Sequence, residues 1–374
     1  YLIDTEGNHR FVHKDEKLSC WHPTPLIPRE IPPRIEPFRD PAYVASNEAL
    51  CIMANVYEGM EGVEPGSSKW LRINEAIPRY WDTGRRWEKS LSSSSWKAAL
   101  WPRAQWGVVP VEADGSAYFK VPANRNIFFQ ALDENFMEIQ RERTYVNYKP
   151  GEVRSCIGCH GRSNHATLVE RGNPIALNRA PSTPQAQPSD TLENGGDGRA
   201  KQVIHYPSDI QPIFDANCIS CHGNADPAGG LKLTGDLTLY YNTSYEELAE
   251  KELAGPIIPE FTSFSQGDRG NYNGALLPPK SLGGHKSTLI DLLINSTHPK
   301  NAQENHVGML TKRELMIMIR WADSNYQFYG TYYGRHHQDW VNADPENPSY
   351  DAADFRRKPT FEEAISKAAP EWHR

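Results

Sequence analysis

The sequence predicts an α+β chain, with a β-rich, sandwich-like first region followed by a smaller α-helical one. Three observations lead there. From Trp106 to Val146, apolar and polar residues alternate between turn signals. After residue 206, apolar residues recur at i, i+3 and i+4 behind Ser and Thr helix starts. Between the two lies a polar stretch rich in Pro, Gly, Ser and Asn with no apolar period, which reads as a connector.

In chain order, residues 1–40 read as a strand remnant and a connector. Pro at 23, 25, 28, 32, 33 and 37 forbids regular helix there. Residues 41–166 form the β-rich region, with hairpin turns expected at Asp114-Gly115 and at Asp133-Glu134-Asn135. Residues 167–202 are the linker and 203–340 the helical region. There Ser208 and Gln211 suggest a capping box ahead of Ile210, Ile213 and Phe214. "GGHKSTLIDLLINST" carries Leu289, Ile290, Leu292 and Leu293 at helical spacing. Thr311 and Glu314 suggest a second capping box, on a helix burying Leu315, Met318, Ile319 and Ala322. Residues 341–374 read as a solvated tail.

Composition narrows the function classes. Lys plus Arg is 40 against 47 Asp plus Glu, a net charge of −7, which argues against a nucleic-acid surface. The longest apolar run is the five residues Leu315 to Ile319, against about 20 needed to span a bilayer, so no transmembrane helix is expected. The start "YLIDTEGNHR" has no basic, apolar leader and no Met, as in a processed or truncated product. Apolar residues make up only 38%, which leaves the interior short of aliphatic side chains.

Six cysteines supply the chemistry: Cys20, Cys51, Cys156, Cys159, Cys218 and Cys221. Four fall into two copies of one pattern, "CIGCH" (Cys156 to His160) and "CISCH" (Cys218 to His222), where this composition predicts about 0.003 by chance. Two thiols at this spacing reach the two vinyl groups of one porphyrin, and the next residue sets an imidazole under the iron. A zinc ribbon would place its pairs closer than the 58 residues found here and would leave both histidines unexplained. The reading is two covalently attached c-type haems, one in each region, with the helical region a small cytochrome-c-like domain. Because this attachment is made outside the cytoplasm, a periplasmic or extracellular location is expected.

His160 and His222 are the proximal ligand candidates. For the second haem the distal candidates are His285, His298, His306, His336 and His337, with Met309, Met316 and Met318 as rivals. Met316 and Met318 sit in a strongly periodic helix and read as core. His306, in the loop before a capped helix, is favoured, and His285 is second. His336-His337 beside Asp339 could also bind a metal, though adjacent loop histidines are more often solvated. The first haem has only His165 nearby, and a ligand-poor iron is where chemistry can occur. Cys20 and Cys51 could form a disulfide, stay inert, or join a metal site.

"KDEKLSCWHPTPLIPREIPPRI", "ANVYEGMEGV", the long stretch from "GVVPVEADGSAYFKV" to "RSCIGCHG", "IQPIFDANCISCHG", "HKSTLIDLL" and "LTKRELMIMIRWADSNYQFYGTYYG" together resemble the hydrazine synthase alpha subunit family, in the same order. The resemblance covers most of residues 15–334 and implies a truncated or cleaved relative, because family members carry a β-propeller before this point. It also implies that the first haem is a catalytic centre for small nitrogen compounds. There a tyrosine shortly after the motif binds iron and the motif histidine turns towards zinc. "HGRSNHATLV" (His160 to Val169) has no tyrosine, so His160 is expected to bind iron. The second haem is implied to be a bis-histidine electron-transfer centre, and the register of "HVGML" before "TKREL" puts His306 where family members keep a histidine, which implies the pair His222 and His306.

The sequence therefore reads as an electron-carrying dihaem c-type cytochrome. A redox enzyme with an open first haem and a structural or filament-forming haem protein are the alternatives. An additional zinc or calcium ion is a further candidate cofactor. Redox partner proteins or further haem subunits, in a homo- or hetero-oligomer, are the expected partners.

Overall fold

The computed structural model describes residues 1–20, 24, 26–28, 30, 31, 33, 39–78, 95, 102–142, 144–159, 172–238, 241–255, 277–331 and 358–366. The chain divides into two units, Tyr1–Pro37 and Phe38–Arg374. In the first, β1 (Leu2–Ile3) and β2 (His9–Arg10) pair antiparallel. Asp4 closes their turn by accepting from the backbone N–H groups of Glu6 and Asn8.

The second unit begins with α1 (Pro41–Ala45), capped by the Asp40 carboxylate. Its strands follow as β3 (Glu48–Met53), β4 (Trp70–Ala76), β5 (Arg103–Pro110), β6 (Ala117–Pro122), β7 (Ile127–Leu132), β8 (Glu138–Arg141), β9 (Val153–Cys156) and β10 (Gln202–Val203). They form two sheets, an antiparallel one in the order β10-β5-β4-β7-β8 and a three-stranded one in the order β6-β3-β9. Alternation turns Ala49, Cys51, Met53, Phe119 and Val121 of the smaller sheet towards Leu71, Ile73, Ile127, Phe129 and Ala131 of the larger. Phe119 meets Phe129 edge-on across the gap, ring centres 5.4 Å apart. The sandwich-like reading of this region agrees with these two facing sheets.

The turn at Asp133 joins β7 to β8 as a hairpin, its carboxylate accepting from the N–H groups of Asn135 and Met137. The turn at Asp114-Gly115 does not make a hairpin. Glu112 and Ser116 close it tightly, but β5 and β6 belong to different sheets, so it carries the chain from one to the other. Pro110, with no N–H to extend a ladder, ends β5 just before this corner.

The stretch read as a free linker is built into the sheets in its described part, 172–202. Gln185 exchanges both backbone hydrogen bonds with Val108 of β5, and Ser182 bonds Tyr118 and Lys120 of β6. Gly107 is required here: its φ is +130°, and a Cβ would sit 2.7 Å from the Gln185 carbonyl.

The helices follow as α2 (Tyr206–Asp209), α3 (Gln211–Asn217), α4 (Thr243–Glu250), α5 (Thr288–Ile294), α6 (Lys312–Asp323) and α7 (Phe361–Ala364). The Thr311–Glu314 capping box is formed, and Ser287 caps α5. The expected cap at Ser208 is not. Helix α2 starts two residues earlier, at Tyr206, with Pro207 in its first turn and the Asp209 carboxylate on the His205 N–H at 2.8 Å. Helix α4, capped by Asn242, was not marked by sequence periodicity. The helical core mixes aliphatic side chains such as Ile210, Leu248 and Ile290 with a cluster of aromatic rings. Tyr206, Tyr245, Trp321 and Phe328 pack with ring centres 4.7 to 6.4 Å apart. In the tail expected to be solvated, Phe361 of α7 instead stands edge-on to Trp106 at 5.0 Å, and Ala364 and Ile365 join the same buried cluster.

The outer face of the larger sheet is buried yet polar, and α6 lies against it. Asp323, 0% exposed, accepts from Arg72 (3.1 Å), from the Glu138 N–H (3.1 Å) and from the Gly284 N–H (2.9 Å). Arg72, 1% exposed, also donates to Gln130, Gln187 and the Phe136 carbonyl. Arg320 of α6 pairs with Asp190, and Arg141 with Glu138. Burial raises the Asp323 carboxyl to about 6, against the pull of Arg72. Sheet and helices are thus joined by charge and hydrogen bonds as well as by the apolar contacts of Met316 with Val108, Leu132 and Phe136.

Candidate cofactor-attachment sites

The second motif follows α3 directly. The N–H groups of Cys221 and His222 both bond the Cys218 carbonyl, at 3.2 and 2.9 Å, so the motif closes one further turn. Cys218 and Cys221 are free thiols, the first half-buried against the helical core and the second exposed. Burial raises the Cys218 thiol to about 11.

His222 and His306 stand beside each other, ring centres 6.5 Å apart and planes inclined by 35°. Each ring has its Nδ1 engaged by an oxygen. His222 Nδ1 is 3.1 Å from the Leu231 carbonyl, which can only accept. His306 Nδ1 is 3.0 Å from Asn301 Oδ1. Both rings therefore carry the Nδ1 proton, and each keeps its Nε2 lone pair for a metal. The other candidates are committed elsewhere. His285 Nε2 lies 3.1 Å from Asp133 in the β7–β8 turn. His298 Nδ1 accepts from the Lys300 N–H at 3.2 Å. Met318 lies in the helical core and Met316 against Val108, Leu132 and Phe136, as their periodicity suggested, while Met309 is exposed.

The first motif begins on β9, which pairs parallel to β3 and sets Cys156 opposite Met53. Cys159 is buried and Cys156 partly so. Beneath them lie Cys51 and Tyr148, both 0% exposed, neither marked by spacing or motif. The neighbouring Cys51 thiol brings Cys156 down to about 7, while burial raises Cys51 and Cys159. Arg154 stacks on the Tyr148 ring at 4.8 Å. Burial also pushes Glu142, which accepts from the Phe129 N–H at 3.0 Å, up to about 8.

His160, His165, His336 and His337 lie outside the described residues. Among the described residues no group of three or more His, Cys, Asp or Glu is arranged to hold a metal ion. The disulfide considered for Cys20 and Cys51 is not formed: both are free, Cys51 inside the sandwich core and Cys20 exposed.

Residues 66–161 match the family model described as the hydrazine synthase alpha subunit middle domain. The hydrazine synthase subunit alpha of Kuenenia stuttgartiensis is 24% identical over 327 residues, covering 73% of this chain and 38% of that protein. The solved hydrazine synthase of Kuenenia stuttgartiensis shares the fold at a TM-score of 0.53 and 20% identity, over 75% of this chain and 43% of that one. This chain is similar to the hydrazine synthase alpha subunit. It spans about two fifths of the length of those relatives. In this hydrazine synthase alpha-like chain the matched segment runs from just before β4 to just past the first motif. Strand β3, which pairs with β9 and carries Cys51, comes from outside it, as does the whole second motif.

Proposed function

We propose that the chain is an electron-carrying c-type cytochrome with two covalently attached haems, built on hydrazine synthase-like haem regions. The observation that carries this reading is the His222–His306 pair. Two iron–nitrogen bonds of about 2.0 Å, plus about 1.2 Å from each Nε2 to its ring centre, require about 6.4 Å between imidazoles on one iron. The rings are 6.5 Å apart. Cys218 and Cys221 would supply the thioethers, and His222 and His306 the two axial nitrogens. Leu231 and Asn301 hold those rings in the ligating tautomer. The small helical region is then cytochrome-c-like, and haem held between two histidines supplies one-electron transfer with no open position. Leu231, Leu310 and Leu315, packed on the helical core, together with the exposed Ile219 and Met309, would line and cover the porphyrin. Cys156 and Cys159 would hold the first haem in the same way, with His160 as its ligand.

A second reading is favoured by the family match, which includes the first motif. On it the first haem is an open redox centre acting on a small nitrogen compound, and Glu142 and Tyr148 are buried proton-bearing groups beside the first motif's Cys156. The relatives' name, subunit alpha, supports partner subunits or redox partner proteins. Haem attachment outside the cytoplasm supports a periplasmic or extracellular location. No helix among the described residues is long and apolar enough to cross a membrane.

Mass spectrometry of the purified protein should show two added haems, and a mass without them would end the reading. EPR should give two low-spin ferric signals for an electron carrier. One high-spin signal, with carbon monoxide or nitric oxide bound by the reduced first haem, would favour the enzyme.

A further inference from the structure

Asn301 sits in the 3₁₀ turn Pro299–Ala302 and is 8% exposed. Its side-chain NH₂ donates to the carbonyls of Leu292 (2.8 Å) and Asn295 (2.9 Å), at the C-terminal end of α5. Helix ends leave such carbonyls without intrahelical partners, and here one amide takes up both. The amide therefore cannot flip: with both hydrogens spent on carbonyls, Oδ1 must be the atom facing His306. That oxygen accepts twice from the same residue, from the His306 N–H at 3.1 Å and from His306 Nδ1 at 3.0 Å.

We infer that Asn301 is the positioning residue of the second haem, a side chain that sets the tautomer, the ring orientation and the donor strength of His306. The inference rests on the bis-histidine reading above. The chain of cause is short. The end of α5 orients the Asn301 amide, the amide oxygen orients the imidazole, and the imidazole is left with Nε2 as its only lone pair. A hydrogen bond from Nδ1–H to an acceptor raises the basicity of the opposite nitrogen and so favours the ferric state. The two axial histidines differ in this respect. The acceptor for His222 is a backbone carbonyl, whereas the acceptor for His306 is a side chain that substitution can change.

The test uses the full-length holoprotein with both haems attached. In the ¹⁵N-histidine NMR spectrum of the wild type, the Nδ1–H of His306 should be present and slow to exchange with solvent. Asn301→Leu removes the acceptor at similar size. Its second haem should show a midpoint potential above wild type and should bind carbon monoxide when reduced, as His306 loses its orientation. Asn301→Asp keeps an acceptor for His306, now charged, but gives up both bonds to the end of α5; it should lose stability yet keep the low-spin spectrum with a potential below wild type. If Asn301 only ties the loop to α5, both variants would lose stability with unchanged potential and no carbon monoxide binding, which overturns the inference. A rapidly exchanging or absent Nδ1–H in the wild type overturns it without any variant. His306→Ala separates the two levels: an unaltered low-spin second haem in that variant would remove the bis-histidine reading itself.

Discussion

Replacing Asp323 by Ala should be among the most destabilising single changes in the chain. The carboxylate is 0% exposed and faces the Arg72 guanidinium, which is 1% exposed. Without it, Arg72 keeps three neutral acceptors, on Gln130, Gln187 and Phe136, but loses the carboxylate it is paired with. Leaving one member of a buried ion pair unpaired costs about 3–5 kcal/mol. The N–H groups of Glu138 and Gly284 are orphaned as well, which puts the expected loss near the top of that range, at about 4–5 kcal/mol. Arg72→Met should cost less, about 2–3 kcal/mol, because Asp323 keeps both backbone donors. The double variant should then be more stable than the sum of the singles by about 2 kcal/mol. The assay is equilibrium urea unfolding of the holoprotein followed by far-UV circular dichroism. It is run at pH 7.5, where a carboxyl titrating at about 6 is ionised. A loss below about 1 kcal/mol for Asp323→Ala, or strict additivity in the cycle, would refute the claim that charge joins sheet to helices.

Three further outcomes are expected. His306→Ala should convert one low-spin iron to high-spin and open it to carbon monoxide, read by EPR and by the reduced absorption spectrum; two unchanged low-spin signals would contradict the ligand assignment. Glu142 should hold its proton at neutral pH. Because its folded value of about 8 lies above the ordinary 4.5, its contribution to stability is full below pH 4.5 and is lost as pH rises through 8. A protonated-carboxyl infrared band that disappears in Glu142→Gln and titrates near pH 8 would bear this out, whereas titration near 4.5 would not. Gly115→Ala should cost about 1–3 kcal/mol in urea unfolding, since φ is +83° and the added carbon would meet Asn55 and Tyr57.

Where local pattern carries the information, the sequence was readable. The alternation in β6 and β7, the Asp133 hairpin, the Thr311 cap and the spacing of α5 all follow from contacts a few residues long. That His306 stands beside His222 was also legible, from its place in the loop ahead of a capped helix. What escaped was set by distant partners. Gly115 reads as a hairpin in any local window, and only the pairing of β6 with β3 makes it a corner between sheets. The Pro- and Gly-rich stretch reads as free because its hydrogen bonds go to Val108, Tyr118 and Lys120, far away in sequence. Asp323 ends a helix, and nothing near it in sequence announces Arg72, 251 residues earlier. Asn301, Cys51 and Tyr148 share that fault: each acts through a neighbour that folding supplies.

The polar seam between the larger sheet and α6 has a consequence for recombination. An apolar interface would accept many greasy partners and would aggregate when stripped. This one, cut open, would expose beside Val108 and Leu132 the side chains of Arg72, Asn74, Arg103 and Gln130, buried polar groups that an unrelated helical module cannot satisfy. Separated halves would refuse substitutes, so the corresponding regions of relatives should exchange only when sheet and helix travel together.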